Sequence, residues 1–382
     1  MRIGIEAQRI FRPKKHGMDI YALQLIRHLQ EIDHVNEYFI FVRPGTDICL
    51  KPTHNFEIVQ INSLTYADWE QIWLPQNVTD YNIDILHCTS NTAPLFCAVP
   101  TVVTIHDIIY LNSAFSGGSL YQKLGHYYRK WIVPKVYNRA TKVMTVSNFE
   151  VNTIEKYFGD NDKLEVAYNG INPMFNQRAN DELISRVRQD LGLPEDYILF
   201  LGNTAPKKNM SRVLDAYAKY RIKAENPLPL VIVETGSDIA LKMLEDLGYS
   251  ETMDDIHCVG YVPNDNLPVV YQEATLFLYP SLRESFGIPI IESMASGTPV
   301  ITSSTSSMPE VGQDAAHYVD PYSTVMLAAK IDELLSDKEL LENLAEKGYA
   351  RAKQFSWANT AEQVHSSYFD ICYGKVEHQK AS

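Results

Sequence analysis

The chain has 382 residues, of which 45% are hydrophobic and 21% are charged. These are the values of an ordinary globular protein, so they exclude a disordered or collagen-like chain, and the length predicts two domains. The 34 lysines and arginines are outnumbered by 47 aspartates and glutamates, which gives a net charge of −13. Because affinity for nucleic-acid phosphates comes from clustered cations, this balance excludes a broad nucleic-acid-binding surface.

The cysteines and the apolar runs predict a location in the cytoplasm. Five cysteines are scattered along the chain and form no C-x-x-C pair, so we expect neither a disulfide framework nor a zinc cluster. The best candidate for a membrane span, residues 99–111, contains His106 and Asp107 and is shorter than the ~18 apolar residues that a span needs. The first ten residues carry three charged side chains and lack the apolar run of a signal peptide.

Short apolar runs alternate with amphipathic stretches through the first half of the chain. This pattern predicts strands at 2–6, 38–42, 56–61, 84–88, 101–105 and 142–146. It predicts helices at 18–30 and near 68–78, 119–138 and 148–157. Such alternation is typical of a parallel sheet that is covered by helices on both faces.

The pattern breaks at 160–195, where Asn, Asp, Gly and Pro predict a linker. A second series then predicts strands at 197–202, 229–234, 256–260, 274–279 and 298–302, with helices between them and two more within 322–352. The simplest architecture is α/β, with two doubly wound, Rossmann-like domains facing a central cleft. We expect a first domain at 1–170, a second at 171–355, and a helix in 356–382 that returns to the first domain.

Four polar clusters directly follow predicted strands, at the edge where ligands bind in open parallel sheets. Their sequences are RPKKHGMD at 12–19, HD at 106–107, NTAPKKN at 203–209 and SLRESFGIPIIES at 281–293. Each could be an ordinary loop, but four of them together favour a shared ligand cleft. Their candidate side chains are His106, Lys207, Lys208, Glu284 and Glu292.

The segment 280–312 is the richest of these regions. Glu284 precedes a predicted helix, Pro289 suits its first turn, and Glu292 is predicted in that same turn. The N–H groups at such a helix start suit a phosphate, and Gly287 would let a ligand approach the backbone. Two carboxylates can accept hydrogen bonds from sugar hydroxyls. The alternative interpretation is that both glutamates only complement the helix dipole.

With these residues in place, the chain resembles a known family. Glu284 and Glu292, with seven residues between them, resemble the E-x7-E motif of the retaining glycosyltransferases of family 4. The surrounding segment 260–321 follows the pattern of that family's donor domain. ILFLGNTAPKKN resembles its first donor-domain strand and loop, while VPTVVTIHD, VSNFE and VAYNGIN resemble its acceptor domain and interdomain passage. The resemblance covers nearly the whole chain.

The resemblance implies a GT-B fold and a retaining, metal-independent hexosyl transfer. The donor would be a nucleotide-diphosphate sugar, GDP-mannose or a UDP-hexose, and neither a cofactor nor a metal is expected. The acceptor would be a glycan or a lipid-linked glycan in the synthesis of a surface polysaccharide.

The resemblance also implies roles for individual positions. Glu284 would lie near the donor sugar, Glu292 would hold the ribose hydroxyls, and Lys208 would neutralise the diphosphate. The backbone of Phe286, Gly287 and Ile288 would run along the sugar and phosphate. His106 would lie beside the transferred sugar, and the backbone of Gly17 would approach the phosphate.

Two positions depart from the family pattern. Asn203 stands where many relatives carry an arginine, so one cation is missing or is partly replaced by Lys207. The first loop usually has two adjacent glycines, whereas here His16 precedes Gly17 and Met18 follows it.

Other interpretations stay open at this point. The chain could be a non-catalytic GT-B partner, or another GT-B enzyme such as a sugar-nucleotide epimerase or a phosphorylase, although we identify neither an additional acid–base set nor a pyridoxal lysine. Residues 160–162 spell D-x-D, a metal motif of the other major glycosyltransferase fold, but they lie in the predicted linker and are interpreted as a loop. No H-E-x-x-H pair, P-loop or G-x-G-x-x-G motif occurs.

One basic segment falls outside the motif. Residues 119–142 contain six Lys or Arg residues interleaved with aromatic residues, and no acid occurs between Asp107 and Glu150. This pattern predicts a peripheral contact with an anionic membrane at its inner face. The alternative is an ordinary covering helix whose aromatic residues are buried and whose cations are solvated.

Overall fold

A computed structural model describes residues 1–112 and 120–374 of the protein. The chain forms two compact units. The first comprises residues 1–170 together with the C-terminal segment from 357, and the second comprises residues 171–356. We describe the two units, here called the first and second domains, one at a time.

The first domain is built on a seven-stranded sheet of order β3-β2-β1-β4-β5-β6-β7, in which all neighbours are parallel. The strands are β1 Arg2–Glu6, β2 Glu37–Val42, β3 Phe56–Gln60, β4 Ile85–Cys88, β5 Thr101–Thr104, β6 Lys142–Thr145 and β7 Leu164–Val166. The direction of strand order reverses between β1 and β4, which makes this the topological switch point of a doubly wound fold.

Helices flank this sheet. They are α1 Gly17–Ile32, α2 Tyr66–Asp68, a π-helix at Trp69–Trp73, α3 Leu74–Asp80, α4 Ile109–Asn112, α5 Leu120–Arg139 and α6 Asn148–Phe158. Residue 119, the first of the basic segment, lies outside the described residues.

The C-terminal helix, Trp357–Tyr373, belongs to the first domain. Its side chains at Trp357, Ala361, Val364 and Tyr368 are buried in a core that they share with β1 and α1. The hydroxyl of Tyr368 lies 2.6 Å from Nδ1 of His87 on β4. The first domain is therefore assembled from both ends of the chain.

The second domain carries a six-stranded parallel sheet of order β10-β9-β8-β11-β12-β13. The strands are β8 Ile198–Leu201, β9 Leu230–Val233, β10 Ile256–Gly260, β11 Leu276–Tyr279, β12 Val300–Ser303 and β13 His317–Val319. The helices are α7 Asp181–Leu191, α8 Met210–Lys223, α9 Ser237–Leu247, α10 Leu267–Gln272, α11 Ile288–Ala295, α12 Met308–Gly312, α13 Thr324–Ser336 and α14 Lys338–Ala352; the C-terminal helix is α15. The switch point lies between β8 and β11.

The prediction of a linker at 160–195 is wrong in part. That segment contains β7 and the eleven-residue helix α7. The residues Asp160, Asn161 and Asp162 precede β7 in irregular backbone, as the loop interpretation expects. The strand β13 was also missed, because only three residues pair with β12.

Candidate functional site

The site in the second domain is built by the loops that follow β8 and β11, on either side of its switch point. These loops are joined directly, since the N–H of Leu282 donates to the carbonyl of Lys207 over 2.8 Å. Asn209 holds them together as well, because its buried Nδ2 donates to the carbonyls of Pro280 and Pro321 at 2.9 and 2.7 Å. Asn209 has a φ of 64°, a left-handed conformation that asparagine tolerates better than most residues.

Two lysines and a glutamate meet in this region. Nζ of Lys208 lies 2.9 Å from Oε1 of Glu284 and 3.0 Å from the hydroxyl of Tyr279. Nζ of Lys207 lies 3.4 Å from Oε2 of the same carboxylate. The structure thus brings together three of the residues predicted from sequence, and it adds Tyr279, the last residue of β11.

The Glu284 carboxylate is mostly buried, with 9% of the residue exposed. Burial alone would raise its pKa, but the charges of Lys208 and Lys207 outweigh burial and lower the pKa. The same glutamate is fixed through its backbone, because Ser307 Oγ donates to its carbonyl over 2.9 Å and its N–H donates to Ser306 Oγ over 2.9 Å. Glu284 is therefore ionised and held rigidly.

Glu292 occupies a different environment. It is the fifth residue of α11, so the prediction that it lies in the first turn is wrong, and it lies in the second. The hydroxyl of the buried Tyr271 donates to its Oε2 over 3.1 Å. Desolvation raises the pKa of Glu292 to about 7, although the Tyr271 hydrogen bond and the charge of Lys208 oppose this rise. This carboxyl can therefore change its charge near neutral pH.

Gly287 immediately precedes α11 and has a φ of 101°. A Cβ atom at this position would be strained and would lie 3.2 Å from Cδ1 of Ile290. The side chain of Phe286 is buried and packs edge-on against Phe355, so only the backbone of Phe286 is available for a ligand. Its carbonyl accepts a hydrogen bond from Ser307 over 2.8 Å.

Asn203, at the position where the family resemblance implies an arginine, provides no charge. Its Nδ2 donates to Oε2 of Glu234 over 3.3 Å, and its Oδ1 accepts from the N–H of Ala205 over 3.0 Å. The second cation on Glu284 is supplied by Lys207, whose side chain is half exposed.

Two further predicted residues, His106 and Gly17, lie in the first domain. His106 follows β5, and its Nε2 lies 2.8 Å from the carbonyl oxygen of Thr89, so Nε2 carries the hydrogen. Burial lowers the pKa of His106, although the hydrogen bond to Thr89 opposes this effect. The ring is therefore neutral near pH 7. Gly17 is the exposed first residue of α1 and has no atom within 4 Å of a Cβ built on it.

Glu6 and Glu70 are among the buried carboxylates of the first domain that the sequence analysis did not identify. Glu6 ends β1 and accepts a hydrogen bond from the N–H of Gln8 over 3.0 Å. Glu70 lies in the π-helix and accepts hydrogen bonds from Tyr128 over 2.6 Å and from Thr92. Burial raises the pKa of both carboxyls. The π-helix marks Glu70 as a candidate functional residue, since such bulges occur frequently at functional sites.

Helix α5 divides its aromatic residues between two faces. Tyr137 is buried, and Tyr128 is partly buried and bonded to Glu70, whereas Tyr127 and Trp131 are 54% and 52% exposed. Nζ of Lys135 lies 3.7 Å from the centroid of the Trp131 ring. Some of these aromatic residues are therefore buried, and others are exposed.

Residues 1–112 and 120–374 contain no group of three or more His, Cys, Asp or Glu residues that could hold a metal ion. They also contain no helix with the length and hydrophobicity needed to cross a bilayer.

Comparison with known proteins gives the family. Residues 16–175 match the family described as Glycosyltransferase Family 4, and residues 184–351 match the one described as Glycosyl transferases group 1. The O-antigen chain mannosyltransferase B of Escherichia coli is 31% identical over 270 residues, which are 70% of this chain and 69% of that protein. The O-antigen chain mannosyltransferase RfbU of Salmonella typhimurium is 29% identical over 317 residues, which are 80% and 83% of the two chains.

Among solved structures, Anabaena Alr3699/HepE in complex with UDP and glucose superposes with a TM-score of 0.72 at 16% identity, covering 97% of this chain and 100% of the other. At this identity the similarity establishes the fold alone, which is GT-B with two Rossmann-like domains, as the resemblance implied. The family matches together with the Escherichia coli relative establish that the chain belongs to the family 4 glycosyltransferases.

Proposed function

We propose that this protein is a retaining hexosyltransferase that moves a sugar from a nucleotide-diphosphate donor to a glycan or a lipid-linked glycan. The observation that carries the proposal is the cluster of Lys207, Lys208 and Glu284 at the switch point of the second domain. The relatives named for O-antigen chain mannosyl transfer favour GDP-mannose as the donor and surface polysaccharide synthesis as the process. The UDP complex of a structural neighbour keeps a UDP-hexose as the second candidate.

The chemical task is the departure of a nucleoside diphosphate from an anomeric carbon. Positive charge placed in advance at the leaving oxygens lowers that barrier. Lys208, with Lys207 beside it, would supply this charge, together with the N–H groups at the start of α11. We therefore propose a reaction that needs neither a metal nor another cofactor.

The two glutamates would divide the donor between them. Glu284 is held ionised by its lysines, which suits acceptance of hydrogen bonds from sugar hydroxyls. Glu292 lies eight positions further along, on α11, and would accept hydrogen bonds from the ribose hydroxyls. The positive φ of Gly287 between them would let a sugar diphosphate pass close to the backbone.

In the first domain, we propose roles for His106 and Gly17. The neutral His106 ring donates through Nε2 to Thr89, which leaves the lone pair of Nδ1 to accept a hydrogen bond from a sugar hydroxyl. The exposed backbone at Gly17 would approach the donor phosphate.

Thermal-shift measurements with UDP-, GDP- and dTDP-hexoses would identify the donor. Transfer assays with the donor that binds would follow. A true donor should stabilise the protein according to its affinity, by ~2.7 kcal/mol at a hundredfold excess over Kd. The Glu292→Gln variant should require more donor for the same shift. Stabilisation by none of the donors would contradict the proposal, and binding without transfer to any glycan would favour the non-catalytic partner.

We also propose that α5 brings the enzyme to the inner face of an anionic membrane, where it would be a peripheral cytoplasmic protein. One face of α5 is exposed to solvent. At helical spacing it carries Leu124, Tyr127, Trp131 and Lys135, all of which are exposed. A second exposed aromatic–cation pair of the first domain joins Phe96 and Arg139, with Cζ 4.6 Å from the ring centroid. Exposed aromatic residues with adjacent cations suit the interface of an anionic bilayer.

A further inference from the structure

We infer that the first domain carries a binding pocket for a phosphate-bearing acceptor, lined by Arg9, Arg12 and Arg43. The inference rests on the proposed function, because it names the class of the acceptor. The pocket has a volume of about 320 Å³, and it is lined by Gln8, Arg9, Phe11, Arg12, Arg43 and Pro44. This volume falls at the small end of the range for small-molecule sites, which suits a single sugar phosphate or a phosphate headgroup.

The parallel pairing of β1 with β2 creates this pocket. Arg9 and Arg12 follow β1, and Arg43 follows β2, so residues about thirty positions apart meet at the same edge of the sheet. The N–H of Arg43 donates to the carbonyl of Gln8 over 3.1 Å. The two loops approach so closely that a Cβ atom on Gly45 would lie 2.2 Å from the carbonyl oxygen of Phe11. The backbone positions of the arginines are therefore fixed by contacts between the two loops.

The positive charge of the pocket is only partly neutralised. Nε of Arg9 pairs with Oδ1 of the buried Asp19 at 2.9 Å. Arg43 donates to the carbonyl of Ser63 over 2.8 Å, and within residues 1–112 and 120–374 no carboxylate partner is found for Arg43 or for Arg12. The neighbouring Lys15 is paired with Asp47. Two guanidinium groups therefore remain available to an anion.

Gln8 gives a second, independent indication. It is only 3% exposed, and its Nε2 has no hydrogen-bond partner among the described residues. Buried donors without partners are rare in native proteins, and each needs an explanation. Gln8 lines the pocket, so a small shift of its side chain would let an acceptor oxygen of a ligand provide the partner.

The chemistry of these groups selects the ligand. Guanidinium groups and the Gln8 amide present hydrogen-bond donors, whereas Phe11 and Pro44 are apolar. A phosphate presents acceptor oxygens and negative charge, and a single arginine can bind it with two parallel hydrogen bonds. A neutral sugar would need acceptors for its own hydroxyl hydrogens, so phosphate fits this lining better. The phosphate could belong to a soluble sugar phosphate or to a lipid carrier.

Direct titration with inorganic phosphate tests the pocket. The full-length protein is titrated by calorimetry in a Lys207→Ala/Lys208→Ala background, so that the proposed donor site does not contribute. Adding Arg12→Ala and Arg43→Ala should weaken phosphate binding at least tenfold. The matched control is Arg27→Ala, which removes an exposed arginine of α1 outside the pocket and should change affinity less than twofold. Equal affinity of the pocket variant and the control, or no phosphate binding in the background protein, would overturn the inference.

A competition experiment then distinguishes the two sources of phosphate. Displacement of inorganic phosphate by glucose 1-phosphate supports a soluble sugar phosphate, and displacement by detergent-solubilised polyprenyl phosphate supports a lipid carrier. Displacement by neither would contradict a phosphate-bearing acceptor. Because no donor or turnover enters these measurements, their failure would leave the proposed glycosyl transfer intact. Failure of glycosyl transfer would equally leave a positive phosphate titration standing.

Discussion

Nζ of Lys208 lies 2.9 Å from Oε1 of Glu284, although the two residues are 76 positions apart in the chain. The loops after β8 and β11 bring them together because those strands are neighbours at the switch point of the second sheet. The pair places a cation and an anion side by side, one suited to phosphate and the other to sugar hydroxyls. A sugar diphosphate carries both partners, because its hydroxyls and its phosphates are adjacent.

Replacing Lys208 tests the electrostatic part of the mechanism. Lys208→Ala should lower turnover by about a hundredfold, as expected for loss of one preorganised charge at the leaving group. Lys219→Ala is the matched control, because it removes a lysine of the same domain that is paired with Asp215 outside the site. Steady-state transfer assays with and without EDTA make the comparison. Loss of wild-type activity in EDTA, with recovery on addition of manganese or magnesium, would contradict the metal-free proposal.

Glu292 should make nucleotide binding depend on pH. Its pKa of about 7 means that the carboxyl is protonated below neutrality and ionised above it. An ionised carboxylate accepts hydrogen bonds more strongly, so affinity for the free nucleoside should rise between pH 6 and pH 8. Glu292→Gln should remove this rise and weaken binding at pH 8 by ~1–3 kcal/mol. Equal calorimetric affinities of the wild type and the variant at pH 8 would contradict the ribose assignment.

The same carboxyl should reduce stability in neutral solution. Its ordinary pKa is 4.5 and its folded-state pKa is about 7, so the folded protein retains a proton that the unfolded chain releases between these values. The free energy of unfolding should therefore fall as the pH rises from about 4.5 to 7. Glu292→Gln cannot ionise, and it should be more stable than the wild type by ~3 kcal/mol at pH 8 but not at pH 4.5. Urea unfolding at both pH values checks this, and an equal difference at the two would refute it.

Gly287→Ala should separate backbone strain from donor binding. An alanine with a φ of 101° should destabilise the protein by ~1–2 kcal/mol. The control is Gly297→Ala at the other end of α11, where φ is 81° and no atom lies within 4 Å of the new Cβ. Both variants should lose stability in thermal unfolding, but only Gly287→Ala should also lose donor affinity. Equal donor affinities in the two variants would remove Gly287 from the site.

The exposed face of α5 should determine membrane binding. Trp131→Ala/Lys135→Ala should reduce co-sedimentation with anionic vesicles at low salt, because each cation near such a surface contributes about 1 kcal/mol. The control variant, Tyr349→Ala/Lys353→Ala, removes an exposed aromatic–cation pair of the second domain whose Nζ lies 4.4 Å from the ring centroid. Added salt should weaken binding of the wild type. Equal binding of the wild type to neutral and anionic vesicles at low salt would identify α5 as an ordinary covering helix.

The sequence predicted the parallel sheets well, because their strands are buried on both faces and appear as continuous apolar runs. It failed at α7, where only Ile184 and Val187 are buried among eleven residues, so the apolar periodicity is too sparse to detect. The better signal there was the capping pair, since the Asn180 side chain accepts from the N–H of Leu183 and Gly192 ends the helix in a left-handed conformation.

The candidate site was predicted where its polar residues follow predicted strands or belong to a motif. Lys208, Glu284 and Glu292 could be found in this way, but Tyr279 and Tyr271 could not, because a tyrosine that ends a strand or lies in a buried helix has the same sequence pattern as any core residue. The arginine pocket was invisible for another reason. Arg12 and Arg43 are joined only by the pairing of β1 with β2, which no local pattern specifies.

Helix α15 constrains the order in which the chain can fold during synthesis. The first domain buries Trp357, Ala361, Val364 and Tyr368, which leave the ribosome only after the whole second domain has been made. The second domain is one continuous segment, so it can complete its core first. Until α15 arrives, His87 on β4 lacks its Tyr368 partner and the apolar surface of β1 and α1 stays uncovered. The nascent first domain is therefore the part of this enzyme that most needs protection from aggregation. A chain truncated before residue 357 would leave the apolar surface of β1 and α1 uncovered permanently.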